Sequence, residues 1–98
     1  MTIDSYEMLK FSKLSQDWWD PNGVLKTLHD INHCRIEFIN QQITLDNLSI
    51  LDVGCGGGIL TEVMAKKSPN IYGIDPNADV IHIAQQHANQ KELSIEYI

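Results

Sequence analysis

The middle of the chain carries a glycine cluster that reads Leu51-Asp52-Val53-Gly54-Cys55-Gly56-Gly57-Gly58-Ile59-Leu60. The apolar run before the glycines is typical of a buried parallel strand, and apolar residues recur at helical spacing after them. Glycine permits a tight turn and lets a ligand approach the backbone, because it has no Cβ. The following helix directs its free N–H groups and positive dipole end at that ligand. The cluster therefore predicts a strand, a ligand-binding loop and a helix.

Helix and strand continue to alternate after the cluster. The turn sequence at 68–70 ends the first helix, a second strand covers 71–74, a helix covers 78–89, and residues 94–98 begin a third strand. This order is that of the first half of a doubly wound α/β fold. The predicted inward residues of the two helices are Ile59, Leu60, Val63, Met64, Val80, Ile81, Ala84 and Ala88.

Two further helices are predicted ahead of the cluster. The first carries apolar residues at helical spacing, namely Met8, Phe11, Leu14 and Trp18. The turn sequence at 20–23 ends it. The second helix covers residues 26–42, with an apolar face of Leu28, Ile31, Phe38 and Ile39. We therefore predict a helical segment over residues 1–46 and the N-terminal half of a Rossmann-like domain over 47–98.

The spacing of the glycines separates two classes of nucleotide-like cofactor. A dinucleotide site requires G-x-G-x-x-G, but the sixth position is Ile59 counted from Gly54 and Thr61 counted from Gly56. The spacing present is D-x-G-x-G-x-G, which is the pattern of S-adenosylmethionine sites. The alternative is a glycine-rich turn without a ligand.

Two acidic residues stand at the carboxyl ends of the predicted strands. Asp52 suits the ammonium group of a methionine moiety, and Asp75 can accept hydrogen bonds from both hydroxyls of a ribose. Open α/β sheets bind their ligands at this edge. The predicted cofactor is therefore S-adenosyl-L-methionine.

Composition and charge exclude other classes of function. A net charge of −6 and a pI near 4.9 repel a phosphate backbone, so no nucleic-acid partner is expected. The start of the chain has neither a basic nor an apolar signal region, so no export signal is expected. Cys34 and Cys55 form no disulfide framework, which favours reduced thiols in a cytoplasmic protein. His29 and His33 have a zinc-like spacing without an evident third ligand, so no metal is predicted.

Segments in front of the glycine cluster add a family signature. One reads Phe11-Ser12-Lys13-Leu14-Ser15-Gln16-Asp17-Trp18-Trp19-Asp20 and is followed by Gly23; another reads Leu28-His29-Asp30-Ile31-Asn32 and is followed by Arg35. Together with residues 51–60 they resemble the ubiquinone biosynthesis O-methyltransferases, which are class I S-adenosylmethionine-dependent methyltransferases, over residues 11–88. The chain departs from the family at His33-Cys34, where Pro-Leu is usual.

The resemblance implies a seven-stranded sheet and O-methylation of a polyprenylated phenol or quinol precursor of ubiquinone. By position, it implies cofactor contacts from Gly54, Asp75 and Arg35. The helical position of Arg35, between Ile31 and Ile39, supports its role, because a carboxylate of the cofactor would satisfy its charge bidentately. The alternative is a surface arginine whose stem lies over the core. The full predicted set is Arg35, Asp52, Gly54, Gly56, Gly58 and Asp75.

The sequence stops at the third predicted strand, and the expected function depends on this. The family's quinol pocket, catalytic base and membrane-contacting segment have no counterpart here, so we expect a truncated form and assign no catalytic residue. The expected location is the cytoplasm, with peripheral contact at the inner membrane through the missing half. The alternatives are a non-catalytic cofactor-binding remnant and a class I methyltransferase for another small molecule. The oligomeric state is left open.

Overall fold

The structure, a computed structural model, describes residues 5–98, except the side chains of residues 5–8 and 11. Within that range its elements are α1 (Ser5–Trp19), α2 (Lys26–Gln42), β1 (Ser49–Val53), α3 (Ile59–Ala65), β2 (Asn70–Ile74), α4 (Ala78–Gln90) and β3 (Glu96–Tyr97). These are the predicted elements in the predicted order. The predicted inward positions of Met8 and Phe11 lie outside the described side chains. The division into segments 1–46 and 47–98 stays a prediction.

The three strands of the described chain form a parallel sheet in the order β1-β2-β3. The last residue of β1, Val53, pairs with the last residue of β2, Ile74. Both strands therefore end at the same level, and the residues that follow them, Gly54 and Asp75, emerge side by side. This register brings together two parts of the sequence that are about twenty positions apart.

The core lies on one face of the sheet. Ile71 and the half-buried Ile50 point to this face, where α3 and α4 pack and where α2 packs against α3. The buried residues of this core are Leu45, Leu60, Met64, Ile71, Ala88 and Ile95. On the opposite face Leu51 and Val53 are exposed, as is Tyr72 beside them. Among the described residues, this face of the sheet therefore carries apolar side chains that are poorly covered.

The inner face of α2 differs from the prediction. Of the four predicted positions, Ile39 packs on the core and Leu28 is half-buried, but Ile31 is 50% exposed and Phe38 is 63% exposed. Asn32 and Ile36 lie on the inner face in addition, because α2 contacts α3 through the side that contains Asn32. At Ile31 apolar spacing alone placed the buried face one residue too early, since it gave no weight to the polar Asn32.

The inner faces of α3 and α4 also differ in part from the prediction. Val63 is exposed although it was predicted to point inward, while Thr61 and Glu62 are buried. In α4 the predicted Val80, Ala84 and Ala88 are buried, Ile81 is only half-buried, and Ile83 is fully buried as well. In α3 polar side chains can be buried because each finds a partner. Thr61 Oγ1 donates a hydrogen bond to Asp52 Oδ2 at 2.7 Å.

A hydrogen-bonded pair, Glu62 and His87, joins α3, α4 and the end of α1. His87 Nδ1 lies 2.6 Å from Glu62 Oε2, so the imidazole can donate a hydrogen bond to the carboxylate. The indole of Trp19 stacks on the His87 ring with the ring centres 3.5 Å apart and the planes 5° apart. A buried carboxylate needs such a partner, since unpaired burial is costly. The pair therefore supplies a docking surface for the last residue of α1.

Two glycines of the loop offer a matched test of backbone strain and packing. Gly54 has φ +71 and no atom within 4 Å of an added Cβ, while Gly58 has φ +91 and its Cβ would meet the Tyr97 hydroxyl and Ala84. We expect Gly54→Ala to lower the free energy of unfolding by about 1 kcal/mol, from left-handed backbone strain alone. Gly58→Ala should cost about 2–4 kcal/mol, because overpacking adds to that strain. Urea unfolding of both variants measures the difference, and equal losses would contradict the packing assigned to Gly58.

Candidate functional site

The glycine loop is tied to the end of β2 by backbone hydrogen bonds. The amides of Gly54 and Cys55 both donate to the carbonyl of Ile74, at 2.8 and 3.0 Å. The amide of Gly56 donates to Asp75 Oδ2 at 3.1 Å, and the amide of Asn77 donates to Asp75 Oδ1 at 2.9 Å. Asp75 thus fixes the loop on one side and the start of α4 on the other. The predicted ligand loop and the predicted strand-end acid form one rigid unit.

Backbone conformation and neighbouring side chains restrict the loop positions to glycine to different extents. Gly54, Gly56 and Gly58 have positive φ angles of 71, 57 and 91 degrees, which favour glycine at each position. An added Cβ at Gly56 or Gly57 would meet the indole of Trp18, and one at Gly58 would meet Tyr97. Only the Cα of Gly54 faces open space. Among these glycines, Gly54 is therefore the one whose surroundings leave room for a ligand.

A cavity of about 240 Å³ lies between α2 and the glycine loop. It brings together four of the six predicted site residues, which are Arg35, Asp52, Gly54 and Gly56. Gly58 is buried at the N-cap of α3, and Asp75 lies next to the cavity through its bond to Gly56. The contacts of all six with a cofactor stay a prediction. A larger cavity, of about 480 Å³, is lined by residues of α2 alone and contains none of the loop.

Arg35 supplies the positive charge of this cavity. Its side chain is exposed at the edge of the inner face of α2, and it forms no ion pair with any residue whose side chain is described. A guanidinium without an internal partner can bind a carboxylate bidentately. From the sequence, Arg35 was expected to lean toward the buried stripe of α2. In the structure it lies beside that stripe, where it reaches both the cavity and solvent.

Asn32 is a residue of the cavity wall that the sequence argument did not assign to the site. It lies three positions before Arg35 on α2, so the two side chains are neighbours on the helix surface. A signal for it does exist in the sequence. Asn32 is spaced by four from Leu28 and from Ile36, so it interrupts an otherwise apolar stripe.

The two tryptophans at the end of α1 have separate environments. Trp18 lines the cavity and covers Gly56 and Gly57. Its carbonyl accepts a hydrogen bond from His29 Nε2 at 2.9 Å, which ties it to α2. Trp19 instead stacks on His87. Trp18 therefore covers the site, whereas Trp19 is engaged in aromatic packing.

Cys55 sits in the loop but is not an activated thiol. Burial, followed by the nearby carboxylates of Asp52 and Asp75, raises the pKa of Cys55 from 9.0 to about 11. A reactive thiol would need a lowered pKa, so the loop does not activate Cys55.

The raised pKa predicts slow alkylation. In a Cys34→Ser variant, Cys55 is the only thiol. At pH 8 its thiolate fraction should be about a hundred-fold lower in the folded chain than in the unfolded chain, and iodoacetamide should react correspondingly slowly. The rate should rise as the pH approaches 11, while in urea it should level off above pH 9. Equal rates at pH 8 with and without urea would contradict the assignment.

Comparison with known families agrees with this geometry. Residues 50–98, half of the chain, match the family model described as a methyltransferase domain. The chain belongs to this methyltransferase family. The match contains β1 from its second residue onward, the glycine loop and Asp75, which are the parts that build the cavity edge.

Individual relatives show which methyltransferases the chain resembles. The ubiquinone biosynthesis O-methyltransferase of Coxiella burnetii (strain Dugway 5J108-111) is 50% identical over 95 residues, which are 97% of this chain and 41% of that protein. The protein of the same name from Actinobacillus pleuropneumoniae serotype 7 (strain AP76) is 45% identical over 96 residues, with the same shares. The predicted resemblance is confirmed. This methyltransferase chain spans about two fifths of the length of the curated relatives it matches.

Solved structures confirm the fold class. The magnesium protoporphyrin IX methyltransferase of Synechocystis PCC 6803 with bound SAM superposes with a TM-score of 0.72, covering 99% of this chain and 54% of that chain at 19% identity. Its structure with bound SAH also gives a TM-score of 0.72, covering 92% of this chain and 45% of that chain at 18% identity. The four predicted helices and three predicted strands are thus part of a Rossmann-like methyltransferase fold.

Proposed function

We propose that this methyltransferase chain binds S-adenosyl-L-methionine in the cavity between α2 and the glycine loop. The observation that carries the proposal is the convergence of Arg35, Gly54 and Asp75, from three separate elements, on one edge of the sheet. The residues fit the cofactor chemically. Arg35 is a cation without a described partner, Gly54 faces open space, and Asp75 is a carboxylate at a strand end.

Each of these residues has a distinct task in the proposal. Arg35 binds the carboxylate of the methionine moiety, because its planar fork matches that group. Asp75 accepts hydrogen bonds from the ribose hydroxyls while it keeps the amide of Gly56 in place. Asp52, oriented by the buried hydroxyl of Thr61, lies at the ammonium end. Gly54 lets the ligand approach the backbone.

We propose O-methylation of a polyprenylated phenol or quinol of ubiquinone biosynthesis as the reaction that this cofactor site serves. The names of the relatives at 50% and 45% identity support it. When bound, S-adenosylmethionine supplies a sulfonium methyl group for direct displacement by a phenolic oxygen. The contribution of this chain is to hold and orient that group, which removes much of the entropic barrier. A polyprenyl tail also implies peripheral contact with a membrane surface on the cytoplasmic side.

Binding of the cofactor can be tested on the 98-residue chain itself. Calorimetric titration should show saturable binding of S-adenosylmethionine and S-adenosylhomocysteine. Asp75→Ala should weaken both by at least about ten-fold, because it removes the ribose acceptor and a loop hydrogen bond. The matched control is Asp79→Ala, since Asp79 is exposed on α4 outside the cavity. An Asp75→Ala variant with wild-type affinity would reject the ribose assignment.

The acceptor is tested separately by methyl transfer. The labelled methyl group of S-adenosylmethionine should pass to a short-chain prenylated catechol and not to an aliphatic carboxylic acid. Cofactor binding without transfer to any acceptor would favour a non-catalytic cofactor-binding chain. Transfer to the carboxylic acid alone would favour a methyltransferase for another small molecule.

A further inference from the structure

Asn32 occupies an unusual position for a polar side chain. It is only 8% exposed, on the inner face of α2, between residues that pack on the hydrophobic core. Its Oδ1 atom is buried and accepts no hydrogen bond from any described residue. A buried acceptor without a donor is destabilising, and such groups in native proteins are rare enough to need an explanation.

Asn32 lines the cavity together with Asp52 and Gly54 of the strand and loop, and with Arg35 one turn along α2. It also lines a second cavity, of about 440 Å³, which contains none of the glycine loop. Its Oδ1 atom has almost no accessible surface, so it reaches a ligand beside the glycine loop only when the amide turns toward it. After that turn, the α2 wall of the cavity presents a hydrogen-bond acceptor and a cation on neighbouring positions. An α-amino acid group carries the complementary pair, namely an ammonium donor and a carboxylate.

An ammonium presents three N–H donors, so it is best bound by acceptors on more than one side. Asp52 supplies carboxylate oxygens from the strand side, one of which also accepts a bond from Thr61 Oγ1 at 2.7 Å. An acceptor on α2 would add a bond from the opposite side.

We propose that Asn32 is a cofactor-binding residue, whose Oδ1 accepts a hydrogen bond from the α-ammonium of the methionine moiety. With Arg35 on the carboxylate, α2 then clamps both charges of the zwitterion through residues three positions apart. The inference rests on the proposed binding of S-adenosylmethionine and assigns one end of that ligand to α2. It also explains the buried oxygen, since ligand binding supplies the donor that the chain does not.

The test uses a ligand pair that differs only in the ammonium group. S-adenosylhomocysteine and its deaminated analogue, S-adenosyl-4-thiobutyrate, are titrated into the wild-type chain and into Asn32→Ala and Asn32→Leu. Asn32→Ala should weaken S-adenosylhomocysteine about ten-fold and leave the deaminated analogue unchanged. Asn32→Leu is close to asparagine in size and lacks the amide, so it should show the same difference between the two ligands.

Each contrary outcome has a separate meaning. Equal weakening of both ligands by Asn32→Ala, or no weakening of either, overturns the assignment of Asn32 while the proposed function stands. A wild-type chain that binds neither ligand overturns the proposed function and this inference with it. Urea unfolding of Asn32→Ala should show no loss of stability, because the variant removes an unpaired oxygen. If Asn32→Ala fails to fold, the assignment is decided by Asn32→Leu, which fills the same space and must weaken S-adenosylhomocysteine while sparing the deaminated analogue.

Discussion

The hydrogen bonds between the glycine loop and the end of β2 are the constraint on which the site depends. The carbonyl of Ile74 receives the amides of Gly54 and Cys55, and the carboxylate of Asp75 receives the amide of Gly56. These bonds exist because β1 and β2 end in register, which brings consecutive strand ends of a parallel sheet to one edge. The loop conformation, the position of Asp75 and the start of α4 all follow from this arrangement.

The N-terminal helices complete the site from the other side, through contacts of a different kind. Glu62 and His87 pair between α3 and α4, and the paired imidazole receives the indole of Trp19. With Trp19 held there, its neighbour Trp18 lies over the glycine loop and closes one wall of the cavity. The buried pair is therefore distant from the proposed chemistry yet positions a cavity residue, since adjacent residues of a helix end point in different directions.

The order and type of the elements could be predicted because each has a strong local signal. Glycines, turn residues and apolar periodicity mark where helices and strands begin and end, and these depend on neighbours along the chain. The inner faces were less predictable. Ile31, Phe38 and Val63 have suitable spacing but are exposed, whereas Glu62 and Asn32 are polar and buried. Burial of Glu62 depends on His87, which is remote in sequence, and burial of Asn32 depends on the contact of α2 with α3. Periodicity holds no information about either.

The same division applies to the candidate site. The D-x-G-x-G-x-G spacing and the strand-end Asp75 are local features, so the class of cofactor and the predicted contacts at Gly54 and Asp75 followed from the sequence alone. The sequence did not predict that Trp18 packs on Gly57, that Tyr97 packs on Gly58, or that Asn32 lies in the cavity wall. They arise where α1, α2 and β3 meet the loop. Side chains from distant segments share a cavity only once the sheet register and helix packing bring them together, and no spacing rule along the chain encodes that geometry.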